Sequence, residues 1–353
     1  MTHDNIRNYR LYNQQITAHH FANPQEVVGW MGAMQAQEYA MAKWAIGLRL
    51  NDVFDQEIEQ ALNSGHILRT HLLRPTWHFV SPANIRWLLK LTGPRVQQIN
   101  AFWYRKLNYD SYFLTKTNDI LANALEGKKY LTRTELQEIL KQNNIHADGV
   151  ALSCIMMHAE LDGIICSGPR KGKQFTYALL EERVPKVNQL TRQEALYELC
   201  RLYYTSRGPA SLKDFMTWSG LTMKDAREGA GSLSCDFKRE TIDGQEFIFL
   251  PNDMLDLKKP QPTFLMPDYD EYGMSYKDRS VLISLETKPQ LEQAVKSGNY
   301  HLIIIEGMIA GTWKRIVKGK NISVETTPFQ ELNKMQKQAL DKAEDQFLKF
   351  SNS

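Results

Sequence analysis

One order of elements recurs three times along this chain, and it limits the possible folds more than any single motif does. The middle copy is the clearest. Thr132 can cap a helix over 133–141, with Glu135 three residues on in the capping-box position. A turn over 143–149 leads into an apolar stretch, 150–161, spaced for a buried helix and closed by Gly163. Residues 164–167 read as a strand, 168–173 as a basic Gly/Pro loop and 174–179 as the returning strand. Helix, helix, hairpin is the order of a winged helix. Its wing carries Arg170, Lys171 and Lys173.

The third copy starts at Thr191, a helix cap, and its first helix runs to about Thr205. Ser211 caps a short helix to Trp218, and Thr222 caps the next. Strands over 237–241 and 245–250 flank Asp243-Gly244, a strong two-residue turn signal. The first copy spans 6–82. Pro24 opens one helix, Asp55 begins another, and Gly65 closes it. Residues 66–71 and 76–80 then form a hairpin with Leu72, Leu73, Arg74 and Pro75 at its tip. An apolar pair beside an Arg has two readings: a wedge that enters a groove and unstacks bases, or packing on the neighbouring repeat.

These copies divide the chain into winged-helix units at 1–82, 128–185 and 190–255, with bridging helices over 83–127. A linker at Pro260 and Pro262 leads to a C-terminal unit, 262–353, with strands expected at 281–285, 302–306, 308–313, 316–317 and 322–324 and a helix over 328–350. The expected fold class is therefore α+β, three tandem winged helices followed by a small β-barrel-like domain.

Charge adds a direction. The net charge is only +3, yet residues 60–109 contain no Asp or Glu and hold seven bases: Arg69, Arg74, Arg86, Lys90, Arg95, Arg105 and Lys106. Without that stretch the chain is net acidic. The stretch also holds Trp77, Phe79, Trp87, Phe102, Trp103, Tyr104 and Tyr109. Basic and aromatic side chains together suit a polyanion with exposed bases, so a positive surface with Arg69, Arg74 and His78 on DNA is expected. The competing reading is a core whose few charges happen to be positive. No apolar run reaches the roughly 20 residues of a membrane span, and the N-terminus lacks an apolar signal core, which points to a cytoplasmic protein.

Familiar catalytic and cofactor signatures are absent: no G-x-S-x-G, Walker loop, H-E-x-x-H or G-x-G-x-x-G occurs. The four cysteines have no zinc-site spacing and read as reduced, mostly buried thiols. No metal and no cofactor is expected. The dense run Asp268-Tyr269-Asp270-Glu271-Tyr272 could hold a metal or act as a base, but reads best as a structural turn. Met34-Gln35-Ala36-Gln37-Glu38, on its residues alone, reads as a helix surface.

A resemblance gives that segment more weight. The sequence GWMGAMQAQEYAMAKWAIGLRL resembles the Gln-x-Gln segment of the AlkZ-like DNA glycosylases, the winged-helix family that includes the AlkZ and YcaQ branches. RTHLLRPTWHFVSP resembles that family's first hairpin, and RGPASLKDFMTWSGLTMKDAR its third winged helix. FLMPDYDEYGMSYKDR and AGTWKR, the latter containing Lys314 and Arg315, resemble its C-terminal segments. The five segments run in family order from residue 30 to about 315. The resemblance implies a C-shaped cradle for double-stranded DNA and excision of alkylated or crosslinked bases by cutting the N-glycosidic bond. It places the catalytic pair at Gln35 and Gln37, the Gln-aliphatic-Gln pattern of the AlkZ branch. The middle residue, Ala36, is smaller than the family's usual aliphatic, and Pro75-Thr76-Trp77 stands where Gly-Thr-Leu is usual.

An alkylated purine carries positive charge and is already a good leaving group. Neutral amide oxygens suffice to aim a water and face the positive sugar. No Lys lies within the motif for Schiff-base chemistry, so a monofunctional hydrolase is expected, and it is expected to act as a monomer. Residues two apart on a regular helix point about 200° apart, so the pair requires a helix end or break between the Pro24 helix and the Lys43 helix. The alternative is a non-catalytic winged-helix DNA-binding protein or regulator.

Overall fold

The computed structural model describes residues 1–186, 189–253, 255, 262–298, 301–319 and 321–352. The expected linker residue Pro260 lies outside them. The helix–helix–hairpin order appears three times. In the first unit, helices Pro24–Met31, Tyr39–Gly47 and Asp55–Ser64 precede the hairpin Leu68–Leu72 and Thr76–Val80. Gly65 ends the third of these helices with φ of 82°, a left-handed turn open to glycine at no steric cost. In the second unit the Thr132–Glu135 capping box forms and starts helix Arg133–Gln142. Helix Gly149–Leu161 and strands Ile165–Ser167 and Thr176–Leu179 follow. In the third, helices Arg192–Arg207, Leu212–Ser219 and Met223–Gly231 lead to the hairpin Lys238–Ile242 and Gln245–Phe249. Asp243 and Gly244 have φ of 49° and 77°, as a two-residue hairpin turn needs. Helices Pro82–Lys106 and Ser111–Leu125 bridge the first and second units.

The C-terminal segment departs from the β-barrel-like expectation. Its four described strands, Phe264–Met266, Leu302–Ile305, Met308–Lys318 and Asn321–Pro328, form an antiparallel sheet in spatial order fourth, third, second, first. No described pairing joins the outer two strands, so the sheet is open. The strand expected at 281–285 is instead a 3-10 turn, Ser280–Leu282, because the Val281 carbonyl accepts from Arg7 Nη1 at 2.8 Å rather than from a neighbouring strand. The last helix, Lys334–Ser351, starts later than expected because Pro328 closes the preceding strand.

This sheet and the first unit share one core. Val27, Val28, Trp44, Ile303, Ile304, Trp313 and Phe347 belong to the same buried cluster. Trp44 Nε1 donates to the Leu265 carbonyl at 2.7 Å, and its ring meets Phe347 edge-on at 5.3 Å. A second cluster joins the first hairpin to the third unit: Leu72 and Leu73 are fully buried with Tyr203, Phe215 and Trp218. The wedge reading of these leucines is therefore corrected, and the packing reading holds. The reason is a close backbone approach. A β-carbon on Gly220 would lie 2.5 Å from the Leu73 carbonyl oxygen, so only glycine lets the hairpin tip dock there.

Candidate active site beneath the first hairpin

The Gln35–Gln37 segment lies between two helices, as its chemistry requires, with Gln35 ending a short strand and Gln37 in the bend that follows. Ala33–Gln35 pairs antiparallel with Thr76–Val80, with Gln35 opposite His78. The pairing runs one residue further, since the Ala36 N–H donates to the Trp77 carbonyl at 2.7 Å. The strand ends at Gln35 and Gln37 stands in the bend before helix Tyr39–Gly47, so helical spacing does not set the angle between the two side chains. The roughly 200° divergence imposed by a helix is removed.

A set of cations and one carboxylate holds this strand from below. Arg207 is fully buried and donates to the Met31 and Ala33 carbonyls at 2.7 Å each. Its Nη2 also pairs with Glu271 Oε2 at 2.7 Å. Glu271 Oε1 accepts the Gln35 N–H at 2.8 Å, while Oε2 also accepts from Trp218 Nε1 and Ser275 Oγ. Burial alone would push the Glu271 carboxyl up. Arg207, the Ser275 hydroxyl and the Gln35 N–H outweigh it and hold the group at about 2. A buried ion pair of this kind is tolerable only because nearly every lone pair and N–H finds a partner. Arg69 holds the next carbonyl, that of Ala36, through Nε at 3.1 Å and Nη2 at 3.0 Å.

The two glutamines differ in access. Gln35 is 6% exposed, and its Oε1 accepts from Arg74 Nη2 at 2.9 Å. Gln37 is exposed, and among the described residues its Oε1 accepts only the Trp77 N–H, at 3.3 Å. His78 is fully buried, which corrects the expectation that it meets DNA at the surface. Its Nδ1 lies 2.9 Å from the Thr76 carbonyl, which can only accept, so Nδ1 carries the proton. Its Nε2 is buried without a partner among the described residues.

The acid-free stretch does not form the single positive surface expected of it. Arg69 is 8% exposed, half-buried Arg74 turns toward Gln35, and Arg86 pairs with Glu181 at 3.0 Å. Bases close to the motif serve as donors to motif carbonyls and amides, which draws them inward. Arg95, Arg105 and Lys106 remain exposed, near exposed Phe102 and Trp103. On the second hairpin Lys171 and Lys173 are exposed and Arg170 is half-buried; Lys171 pairs with Glu135 at 2.9 Å. Lys314 is exposed and Arg315 half-buried on the C-terminal sheet, away from any contact with the motif that the structure records.

Sequence reasoning missed Glu271, Arg207 and Trp218 as supports. The acidic run 268–272 was the available signal. Its reading as structure is right, because Asp270 forms a two-pronged pair with buried Arg49, at 2.8 and 2.9 Å, and Glu271 anchors the motif. No group of three or more His, Cys, Asp or Glu among the described residues could hold a metal. No described helix is long and apolar enough to cross a membrane.

Comparison with known proteins agrees with this layout. The chain is 20% identical over 357 residues to an interstrand DNA cross-link repair glycosylase of Streptomyces sahachiroi, covering 95% of this chain and 92% of that protein. It shares its fold with the solved structure of Streptomyces sahachiroi DNA glycosylase AlkZ. That match has a TM-score of 0.78 at 17% identity and covers 99% of this chain and 96% of the other. A family model described as DNA glycosylase AlkZ-like matches residues 28–350, nearly the whole chain. This chain therefore belongs to the AlkZ-like DNA glycosylase family.

Proposed function

We propose that this protein is a monofunctional DNA glycosylase that hydrolyses the N-glycosidic bond of alkylated, cationic or crosslinked purines in double-stranded DNA. The observation that carries this reading is the framed, non-helical Gln35–Ala36–Gln37 segment, with one amide buried and anchored and the other presented to solvent. In this reading the three helix–helix–hairpin units are winged helices arranged as a C-shaped cradle, and a monomer suffices.

Gln37 is the catalytic residue. Its amide oxygen accepts a hydrogen bond from the attacking water and faces C1′. Gln35, polarised by Arg74, assists from beneath. The water oxygen bonds to C1′ as the C1′–N9 bond breaks. The bonding pair stays with the base, which leaves neutral, and the water proton passes to solvent. A neutral amide is a weak base, which suits a leaving group that is already charged. Lys43, the first lysine after the motif, is 5% exposed and engaged by Asp55 and Glu59 at 2.7 and 2.8 Å, which leaves its amine unavailable for Schiff-base chemistry. Arg170, Lys171, Lys173, Lys314 and Arg315 contact phosphates, while Arg69 and Arg74 act by holding the motif.

The test is single-turnover release of N7-methylguanine beside a binding titration on the same duplex. Gln37→Ala is expected to slow release by about 100- to 1000-fold, the usual cost of one transition-state acceptor or donor. Affinity is expected to hold, because phosphate contacts supply most of it. Gln37→Asp, the YcaQ-branch pattern, is expected to retain release. Wild-type-like release by Gln37→Ala overturns the assignment. No release by the wild type on methylated or crosslinked DNA favours a non-catalytic DNA-binding protein.

A further inference from the structure

A cavity of about 440 Å³ opens between the first and second hairpins. We infer that it binds one planar aromatic group bearing anionic or carbonyl acceptors, held out of the DNA stack. Arg69, Trp77, Arg133, Lys173, Phe175 and Tyr177 are among its lining residues, and no Asp or Glu lines it. This inference rests on the proposed action on DNA and names what the site takes besides the base it releases.

The walls are aromatic faces with a cation between them. The Arg69 guanidinium lies 4.2 Å from the Trp77 ring and 4.8 Å from the Phe175 ring. Phe175 is 39% exposed although large and apolar, and the Arg69 and Arg170 guanidinium groups and the Tyr39 ring hold it in place at the cavity wall. Arg69 is nearly buried, and among the described residues no carboxylate lies within ion-pair distance of it. A desolvated guanidinium without a direct ion pair, its charge balanced only at a distance by carboxylates such as Glu160 and Glu38, gains from an acceptor on the occupant. Lys173 and Arg133 add two further positive groups at the rim.

Its location ties the cavity to the reaction. Arg69 also donates to the Ala36 carbonyl, and the Trp77 N–H donates to Gln37 Oε1. The occupant therefore sits against the same two residues that frame the motif, Arg69 through its side chain and Trp77 through its backbone. The alkylated base still attached to its sugar is not that occupant. It is cationic until the glycosidic bond breaks, and three cations among the lining residues with no carboxylate beside them repel it. What fits is a neutral ring carrying acceptors. Two sources supply that chemistry: an unstacked neutral nucleotide with its phosphate, or an aromatic arm on a bulky adduct.

The test uses the full chain and three duplexes, read by fluorescence anisotropy. One is fully paired, one carries a single unpaired thymidine, and one carries N7-(4-carboxybenzyl)guanine on a 2′-fluoro sugar that blocks excision. The wild type is expected to bind at least one of the last two roughly tenfold more tightly than paired DNA, the worth of about one base–aromatic stack. Phe175→Ala, which removes a wall, and Thr134→Leu, which fills the cavity from the exposed start of helix Arg133–Gln142, are expected to erase that preference. Neither is expected to change affinity for the paired duplex. Preference for the unpaired thymidine alone identifies a nucleotide as occupant, preference for the adduct alone identifies the arm, and preference for both identifies the shared chemistry. Equal affinity for all three duplexes, or a preference that survives both variants, overturns the inference. Release of N7-methylguanine is scored separately. Preference without release removes the glycosylase reading and leaves the cavity; release without preference does the reverse.

Discussion

His78 reports on the environment under the motif. Burial, with the Arg74 charge adding to it, pushes its imidazole from the ordinary 6.5 down to about 3. The unfolded chain takes up a proton at this residue below pH 6.5, and the folded chain does not until about pH 3. The unfolded state therefore binds more protons across that window, and folding stability falls as pH drops through it. The slope from one such group is about 1.4 kcal/mol per pH unit. His78→Gln stays neutral throughout and is expected to flatten this part of the profile. Urea denaturation of both proteins between pH 6.5 and 5 measures the difference, in a range above the Glu271 titration. Identical slopes would mean that the buried imidazole protonates in the fold.

At the scale of the element, the first hairpin joins two units. Its outgoing strand pairs with Ala33–Gln35 through residues 78–80, and its tip enters the core of the third unit. Leu73 is fully buried there with φ of 60°. Leu73→Ala is therefore expected to destabilise the protein by roughly 2–5 kcal/mol, as truncations in packed cores do. The midpoint of a urea melt checks it. A shift worth less than about 0.5 kcal/mol, typical of surface positions, would restore the wedge reading. The same element carries Arg74 to Gln35 and Trp77 to Gln37, so damage at its tip is expected to reach the motif as well.

At the scale of the whole molecule, the last helix closes the core of the first unit. Phe347 is fully buried and meets both Trp44 and Trp313, at 5.3 and 4.8 Å. Phe347→Ala is expected to cost roughly 3–5 kcal/mol. Hydrogen exchange should then speed up together in helix Tyr39–Gly47 and in strands Leu302–Ile305 and Met308–Lys318, because one core supports them. Acceleration confined to the C-terminal sheet would show two independent cores.

What the sequence determined by itself was local. The helix caps at Thr132, Thr191, Ser211 and Thr222, the Asp243-Gly244 turn and the Gly65 stop are decided by residues within one turn of each other, and all formed where expected. The need for a non-helical Gln35–Gln37 segment was legible too, because it follows from the angle between neighbouring side chains. Tertiary structure alone decided which groups face inward. Whether Leu73 wedges or packs depends on Gly220, 147 residues away in the chain. The anchoring of Gln35 by Glu271 spans 236 residues. The inward turn of Arg69 and Arg74 and the open edge of the C-terminal sheet are of the same kind. Burial and long-range pairing are properties of surfaces that meet only once the chain has folded, and no local pattern encodes them.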